Sequence, residues 1–245
     1  MSPDSTTRFG VRAADYARYR PSYPREAIEA VLAGFESPRV ADLGAGTGIS
    51  SVLLADAGAR VYAVEPNANM RASIAQREDI IVVDGTAEAT TLPPHSFDVI
   101  GAFQAYHWFD PVRVLAEAAR IGRDRARFAA VWNERDESDP FVFAYSEIIR
   151  RYMTDDTEAR RRNTAVDDDM RAHGWSGVRV LEFRHTVPVD WDALIGRTRS
   201  ASYLPREGPE FDAMAAELHA LYERAGEFGG ARFALVTSVH LGERQ

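Results

Sequence analysis

Three observations predict an α/β fold: a doubly wound, Rossmann-like seven-stranded sheet, mostly parallel with an antiparallel strand at one end, plus a helical cap. Short β-branched runs alternate with stretches of helical period as far as Asn133. A cluster of glycines sits at the first strand-to-helix junction. Beyond Asn133 the alternation fails, and amphipathic helical stripes replace it.

Taken in order, Ile28, Val31, Leu32 and Phe35 lie on one helical face of Arg25 to Phe35. Arg39–Leu43 reads as a short buried strand, ended by Gly44-Ala45-Gly46-Thr47-Gly48. Ile49, Val52, Leu53 and Ala57 resume the helical period until Gly58 stops it. A strand at Arg60–Val64, a helix at Asn67–Gln76 and a strand at Ile80–Val83 follow. Phe97–Phe103 is a further strand, Pro111–Gly122 a helix and Ala126–Trp132 a strand. Alternation at this spacing implies right-handed crossovers and a parallel sheet covered on both faces.

In the second half, Phe141, Tyr145, Ile148, Ile149 and Tyr152 make one helical stripe. Phe211, Met214, Leu218, Leu221, Tyr222 and Ala225 make another, and both read as core packing. Val178–Val189 reads as a long strand and Phe233–Leu241 as the last. The expected organisation is a single structural domain. Residues 1–135 form a strap and binding core, 136–228 a cap with one strand, and 229–245 the final strand.

Composition narrows the chemistry. The chain has 245 residues, 45% hydrophobic and 27% charged, which suits one α/β domain and excludes global disorder. No apolar run approaches the roughly 20 residues that cross a bilayer. The first residues lack the apolar core of a secretion signal, so the expectation is a cytoplasmic chain without membrane contact. Cysteine is absent, which removes disulfides, thiolate nucleophiles and Cys-type metal centres. All 29 basic residues are Arg, so Schiff-base chemistry and a phosphate-loop lysine are excluded. A net charge of −8 disfavours nucleic acid as a partner.

The glycine cluster carries the most information. Glycines between a buried strand and a helix let the backbone turn tightly and approach a ligand. Dinucleotide folds use G-x-G-x-x-G, with a pyrophosphate at the helix N-terminus. Here the spacing is G-x-G-x-G, with Ile49 where the third glycine of that pattern falls. Asp42 precedes the loop, and a negative charge there suits a ligand bearing an ammonium and a sulfonium better than one bearing two phosphates. This favours S-adenosylmethionine over NAD. Glu65, at the end of the second strand, can accept both hydroxyls of a ribose, which either cofactor needs. Its alternative reading is an acid at a helix N-terminus.

Five stretches now stand in order. They are Tyr16-Ala-Arg-Tyr-Arg-Pro-Ser-Tyr-Pro24, Val40-Ala-Asp-Leu-Gly-Ala-Gly-Thr-Gly48, Ala63-Val-Glu-Pro-Asn67, Gly85-Thr-Ala-Glu88 with Leu92-Pro93 and Ser96-Phe-Asp-Val99, and Gln104-Ala-Tyr-His-Trp-Phe-Asp110. Together they resemble the class I methyltransferase family (methyltransferase type 11 domain). The nearest likeness is its ubiquinone-biosynthesis-like and trans-aconitate-methyltransferase-like small-molecule branch.

The resemblance implies S-adenosyl-L-methionine as cofactor and S-adenosyl-L-homocysteine as product. It puts Asp42, Gly44, Ala45, Gly46 and Gly48 at the methionine end, Glu65 at the ribose, and Pro66, Asn67 and Met70 beside the nucleoside. Thr86, Ala87 and Glu88 would meet the adenine, and Phe103, Gln104 and Ala105 would floor the sulfonium. Many relatives have Asp where this chain has Thr86, so Asp84 becomes the alternative partner for the adenine amino group.

The same resemblance implies in-line methyl transfer to a small molecule, in which the protein supplies alignment and exclusion of water. His107, following the fourth strand, is the candidate catalytic base, with pocket lining as its other reading. Tyr16, Tyr19, Arg20 and Tyr23 are candidates for closing over the substrate, and Trp108 and Asn133 for lining its pocket, with Trp132, Glu134 and Arg135 nearby. The remaining histidines show no ligand spacing, and Asp167-Asp168-Asp169 reads as a solvated helix start, so no metal is expected. Two rivals stay open: an NAD-dependent oxidoreductase, and a cofactor-binding protein without methyl transfer. The expected assembly is a monomer or homodimer.

Overall fold

The β-branched runs of the first half become strands β1 (Arg39–Leu43), β2 (Arg60–Val64), β3 (Ile80–Val83) and β4 (Phe97–Phe103) in a computed structural model of the chain. It describes residues 22–153, 165–201, 203–226 and 230–244. Helices α1 (Arg25–Leu32), α2 (Ile49–Asp56), α3 (Ala68–Arg71) and α4 (Pro111–Ile121) alternate with these strands and lead into β5 (Gly122–Arg135). The second half contributes α5 (Pro140–Arg151), α6 (Val166–Ala172), β6 (Trp175–Pro188), α7 (Trp191–Ser200), α8 (Pro209–Gly226) and β7 (Arg232–Arg244).

The strands form one sheet in the order β3-β2-β1-β4-β5-β7-β6. β1 to β5 are parallel, and β7 runs antiparallel to both β5 and β6. The antiparallel strand is therefore one place in from the edge, with β6 outermost. The order reverses between β1 and β4, and the carboxyl ends of those two strands frame the crevice where doubly wound folds bind ligands.

Period-two alternation sorts the side chains onto two covered faces. Val40, Val61, Val99, Phe103, Val131 and Val239 pack with residues of α1 and α2 on one side. Ala41, Leu43, Ile100, Phe128 and Ala130 pack with Val114 and Leu115 of α4 and Met170 of α6 on the other. A third cluster joins α5, α7 and α8 to Phe233 and Leu235 at the start of β7, where the two stripes read from the sequence are buried. Asp-Pro pairs start two helices: Asp110 accepts the Arg113 N–H ahead of α4, and Asp139 the Val142 N–H ahead of α5.

Two elements depart from expectation. The helix expected over Asn67–Gln76 stops after four residues. The N–H groups of Ser73 and Ile74 bond back three residues, to Met70 and Arg71, which tightens and ends the helix. Helix α7 escapes the periodicity because its contacts are mixed: Leu194 and Ile195 are buried, Thr198 is buried and polar, and Arg197 stacks on Phe233 at 4.0 Å.

Candidate active site

The glycine loop leaves β1 at the switch point and is tied at once to the neighbouring strand. Gly44 and Ala45 both donate to the Val64 carbonyl, at 2.9 and 3.1 Å. Gly44 adopts φ +67, and a Cβ there would stand 3.0 Å from both Ala105 Cβ and the Phe109 ring, so the loop after β4 packs directly on it. Gly46, at φ +58, is different: a Cβ there would meet nothing within 4 Å. Left-handed backbone beside open space forms a cradle in which a ligand can reach the main chain.

Glu65 faces this cradle from the end of β2. Oε2 accepts the Gly46 N–H at 3.0 Å and Oε1 the Asn67 N–H at 2.8 Å. Burial raises its pKa, while those two N–H groups and Arg71 oppose the rise. Each oxygen keeps a lone pair beyond its backbone bond. Arg71 braces the corner, donating to the carbonyls of Glu65 and Pro66 at 2.8 and 2.7 Å. Its other nitrogen holds Asp84 at 2.9 Å, and the Asp84 side chain is 73% exposed. Asp84 is thus drawn onto Arg71 at the surface. Pro66 is half-buried and Met70 buried beside Glu65, while the Asn67 side chain caps α3 by accepting the N–H groups of Asn69 and Met70.

Asp42 shares its strand face with Val40 and lies under the first turn of α2. Its Oδ2 accepts the hydroxyls of Ser50 and Ser51 at 2.7 and 2.6 Å, and the side chain is fully buried. Among the described residues, Oδ1 has no hydrogen-bond partner, and neither does the buried Thr47 hydroxyl of the loop. Burial pushes Asp42 up to about 6, against the two serine bonds, with Glu65 adding to the rise. Burial under the loop therefore delays the ionisation of Asp42 to mildly acidic pH, and the carboxyl is still mostly charged at neutral pH.

The loop after β3 forms the next wall. Thr86 accepts the Ala89 N–H at 3.2 Å, and Ala87 is buried. Glu88 accepts the Asp110 N–H at 3.2 Å. Glu117 of α4 takes both the N–H and the hydroxyl of Thr90, at 2.8 and 2.5 Å. Burial alone would raise the Glu117 carboxyl, but Arg120 and Thr90 hold it at about 2.

Across the crevice, Phe103 ends β4 and meets Tyr23 edge-on at 5.2 Å. Gln104 takes φ +54, an uncommon angle for a non-glycine residue, as the chain leaves the sheet. Its N–H bonds to Val131 and its side-chain amide to the Asn133 carbonyl, both at 2.8 Å. Asn133 joins three segments: it accepts from Gln104 and from the Thr237 hydroxyl of β7, and donates to the Ser22 carbonyl. Tyr23 and Asn133 are buried here, while Tyr16, Tyr19 and Arg20 lie outside the described residues.

His107 and Trp108 sit in a 3-10 turn, Tyr106–Trp108, between Ala105 and Phe109, the two residues that touch Gly44. The Trp132 indole donates to His107 Nδ1 at 3.3 Å. Trp132 is buried, Arg135 half-buried and Glu134 exposed.

Sequence reasoning missed the support beneath this turn. Tyr106, almost fully buried, donates to Asp169 at 3.0 Å. Burial and the Asp169 charge raise the Tyr106 hydroxyl well above the usual tyrosine range. His240 Nδ1 lies 2.8 Å from Asp167. The reading of Asp167-Asp168-Asp169 as a solvated helix start holds only for Asp168, which pairs with Arg171 at the surface. The other two acids turn inward because α6 docks on the sheet face where Tyr106 and His240 present their polar atoms. Strand alternation could have put His240 on the same face as Trp132, but its partner lies 73 residues away in sequence. Among the described residues, no group of three acidic or histidine side chains could hold a metal.

Comparison with known proteins agrees with this geometry. Residues 41–130 match the family described as a methyltransferase domain. An uncharacterized methyltransferase of Mycobacterium tuberculosis is 41% identical over 152 residues, 60% of this chain and 61% of that protein, so the match spans about three fifths of the relative's length. The demethylmenaquinone methyltransferase of Renibacterium salmoninarum is 31% identical over 117 residues, 47% of this chain and 49% of that one. A structure from Anaeromyxobacter dehalogenans, described provisionally as a type II methyltransferase, superposes with a TM-score of 0.65 at 26% identity, covering 93% of this chain and 98% of that chain. The glycine loop, the Glu65 corner and the 3-2-1-4-5-7-6 sheet accompany these likenesses: residues 41–130 carry the methyltransferase-domain match, and the whole fold is similar to that of the Anaeromyxobacter dehalogenans structure.

Proposed function

We propose that this protein transfers a methyl group from S-adenosylmethionine to a small-molecule acceptor by in-line displacement. The observation that carries the reading is the open cradle at Gly46 facing the Glu65 carboxylate at the β1/β4 switch point. The donor set fits the cofactor. Glu65 keeps lone pairs for two ribose hydroxyls, the main chain at Gly46 has room for the methionine end, and among the described residues Asp42 Oδ1 and the Thr47 hydroxyl are buried polar atoms without partners beneath it. In this reading Pro66 and Met70 flank the nucleoside, Thr86, Ala87 and Glu88 meet the adenine, and Phe103 and Gln104 form the floor.

When bound, S-adenosylmethionine supplies a methyl group already activated on a sulfonium, so the chain's task is alignment and exclusion of water. Tyr23, Trp108 and Asn133 stand on the acceptor side of the floor, and Tyr16, Tyr19 and Arg20 are proposed to complete that side. The net charge of −8 suits a small acceptor better than nucleic acid. The name of the relative that methylates demethylmenaquinone points the same way. We place the protein in the cytoplasm as a monomer or homodimer; among the described residues no helix is long and apolar enough to cross a membrane.

Calorimetric titration with S-adenosylmethionine, S-adenosylhomocysteine and NAD tests the reading. Micromolar binding of both adenosyl ligands without NAD is expected, and binding of NAD alone overturns it. Methyl incorporation from labelled cofactor into a metabolite pool then separates an enzyme from a binding protein.

A further inference from the structure

An indole nitrogen can only donate, so the atom it faces has to be an acceptor. In this site that atom is His107 Nδ1, 3.3 Å from Trp132 Nε1. A flipped imidazole would present a ring C–H to the same donor. Trp132 itself has little freedom: it is buried at the end of β5, with the Tyr106 ring edge-on at 6.4 Å and the His240 ring perpendicular at 5.3 Å. Those two neighbours are held in turn by the inward acids of α6, Tyr106 by Asp169 at 3.0 Å and His240 by Asp167 at 2.8 Å. Three rings, Trp132, Tyr106 and His240, and two carboxylates thus stand behind one ring nitrogen of His107.

We propose that Trp132 is a positioning residue for His107: it keeps the neutral imidazole unprotonated at Nδ1 and protonated at Nε2. His107 then acts toward an acceptor as a hydrogen-bond donor and not as the base that removes its proton. Accepting a proton at Nδ1 would require breaking the bond to Trp132, and Nε2 already carries one. The acceptors suited to this site are those whose attacking atom has its lone pair available without help from His107. Naming an acceptor rests on the methyl-transfer reading above; the protonation pattern of the ring does not.

The two are tested separately. Long-range proton–nitrogen NMR of the full chain labelled at histidine nitrogen, above the titration of the ring, reports the tautomer without cofactor or turnover. The His107 signals are assigned by their loss in His107→Gln. The wild type is expected to show an unprotonated Nδ1 and a protonated Nε2, and Trp132→Phe a mixture of tautomers. A proton on Nδ1 in the wild type overturns the proposal even if Trp132→Phe fails to fold, and so does an unchanged pattern in a folded Trp132→Phe. Once an acceptor is known, His107→Ala should lower kcat and His107→Gln recover most of the loss, because its amide keeps a donor near the Nε2 position. A loss of about 100-fold or more in both variants, with a pH limb that disappears with the ring, is the mark of a general base and overturns the proposal. Failure of the protein to bind S-adenosylmethionine would remove the methyl-transfer reading and leave the NMR result standing.

Discussion

The Gly46 backbone N–H donates to Glu65 Oε2 at 3.0 Å, so the glycine loop of one strand and the acid that ends the next are a single unit before any ligand arrives. A carboxylate pre-set by two backbone N–H groups loses little freedom on binding, which is how a site keeps affinity from being spent on ordering its own side chains.

Glu65→Ala should therefore weaken S-adenosylhomocysteine binding by about 10- to 100-fold, the effect of deleting hydrogen bonds to a charged group, roughly 1.5–3 kcal/mol. Glu65→Gln should lose less, because one oxygen remains to accept. Calorimetry checks both. Unchanged affinity in the alanine variant would remove Glu65 from the nucleoside site.

Asp42 links the site to stability. Its carboxyl rises from 3.8 to about 6 on folding because it is buried. A raised folded value means that the contribution is fully present below the unfolded value and is lost as pH rises through the folded one. One pKa unit is about 1.4 kcal/mol, so the ionised side chain costs the fold up to about 3 kcal/mol above pH 6. The stability of Asp42→Asn relative to the wild type should move in the variant's favour by as much as that between pH 4 and 7.5, followed by denaturant melts. A difference that stays flat with pH would mean that Asp42 titrates normally.

The two cradle glycines should separate fold from binding. A Cβ at Gly44 collides with Ala105 and Phe109, whereas one at Gly46 meets open space. Gly46→Ala is expected to cost only the left-handed strain of about 1–2 kcal/mol in stability while abolishing micromolar cofactor binding. Gly44→Ala should lower thermal stability further and expose the loop after β4 to proteolysis. Equal cofactor affinity in Gly46→Ala and the wild type would show that nothing occupies the cradle.

Arg71 and Asp84 make an asymmetric pair. Asp84→Ala removes one exposed ion pair and should cost under about 1 kcal/mol, with cofactor affinity within twofold. Arg71→Ala deprives the Glu65 and Pro66 carbonyls of their donor and should cost about 1–3 kcal/mol, with weaker nucleoside binding. A large affinity loss in Asp84→Ala would instead assign it to the adenine amino group, the role open to it from sequence.

The first four strands were legible to the residue: Arg39–Leu43, Arg60–Val64, Ile80–Val83 and Phe97–Phe103 all form where β-branched runs bounded by turn residues placed them. Buried parallel strands announce themselves locally because both faces must be apolar. The helix after β2 was over-read by several residues, since Ile74 continues an apolar pattern although the backbone has already turned. In the site, the glycine loop and Glu65 were legible from residue type and spacing, but the direction of Asp42 depends on α2 supplying Ser50 and Ser51 above it.

Local chemistry alone determined the sheet's alternating half, the G-x-G-x-G turn and the acid that faces it, because each is written within about twenty residues of chain. Tertiary structure alone decided that β7 enters between β5 and β6, that Arg71 claims Asp84, and that Trp132 holds His107 above the Tyr106–Asp169 and His240–Asp167 pairs. Those last two pairs join residues 63 and 73 positions apart. No periodicity or spacing encodes a contact at that separation; it exists only once α6 has packed on the sheet and buried polar atoms have to find partners.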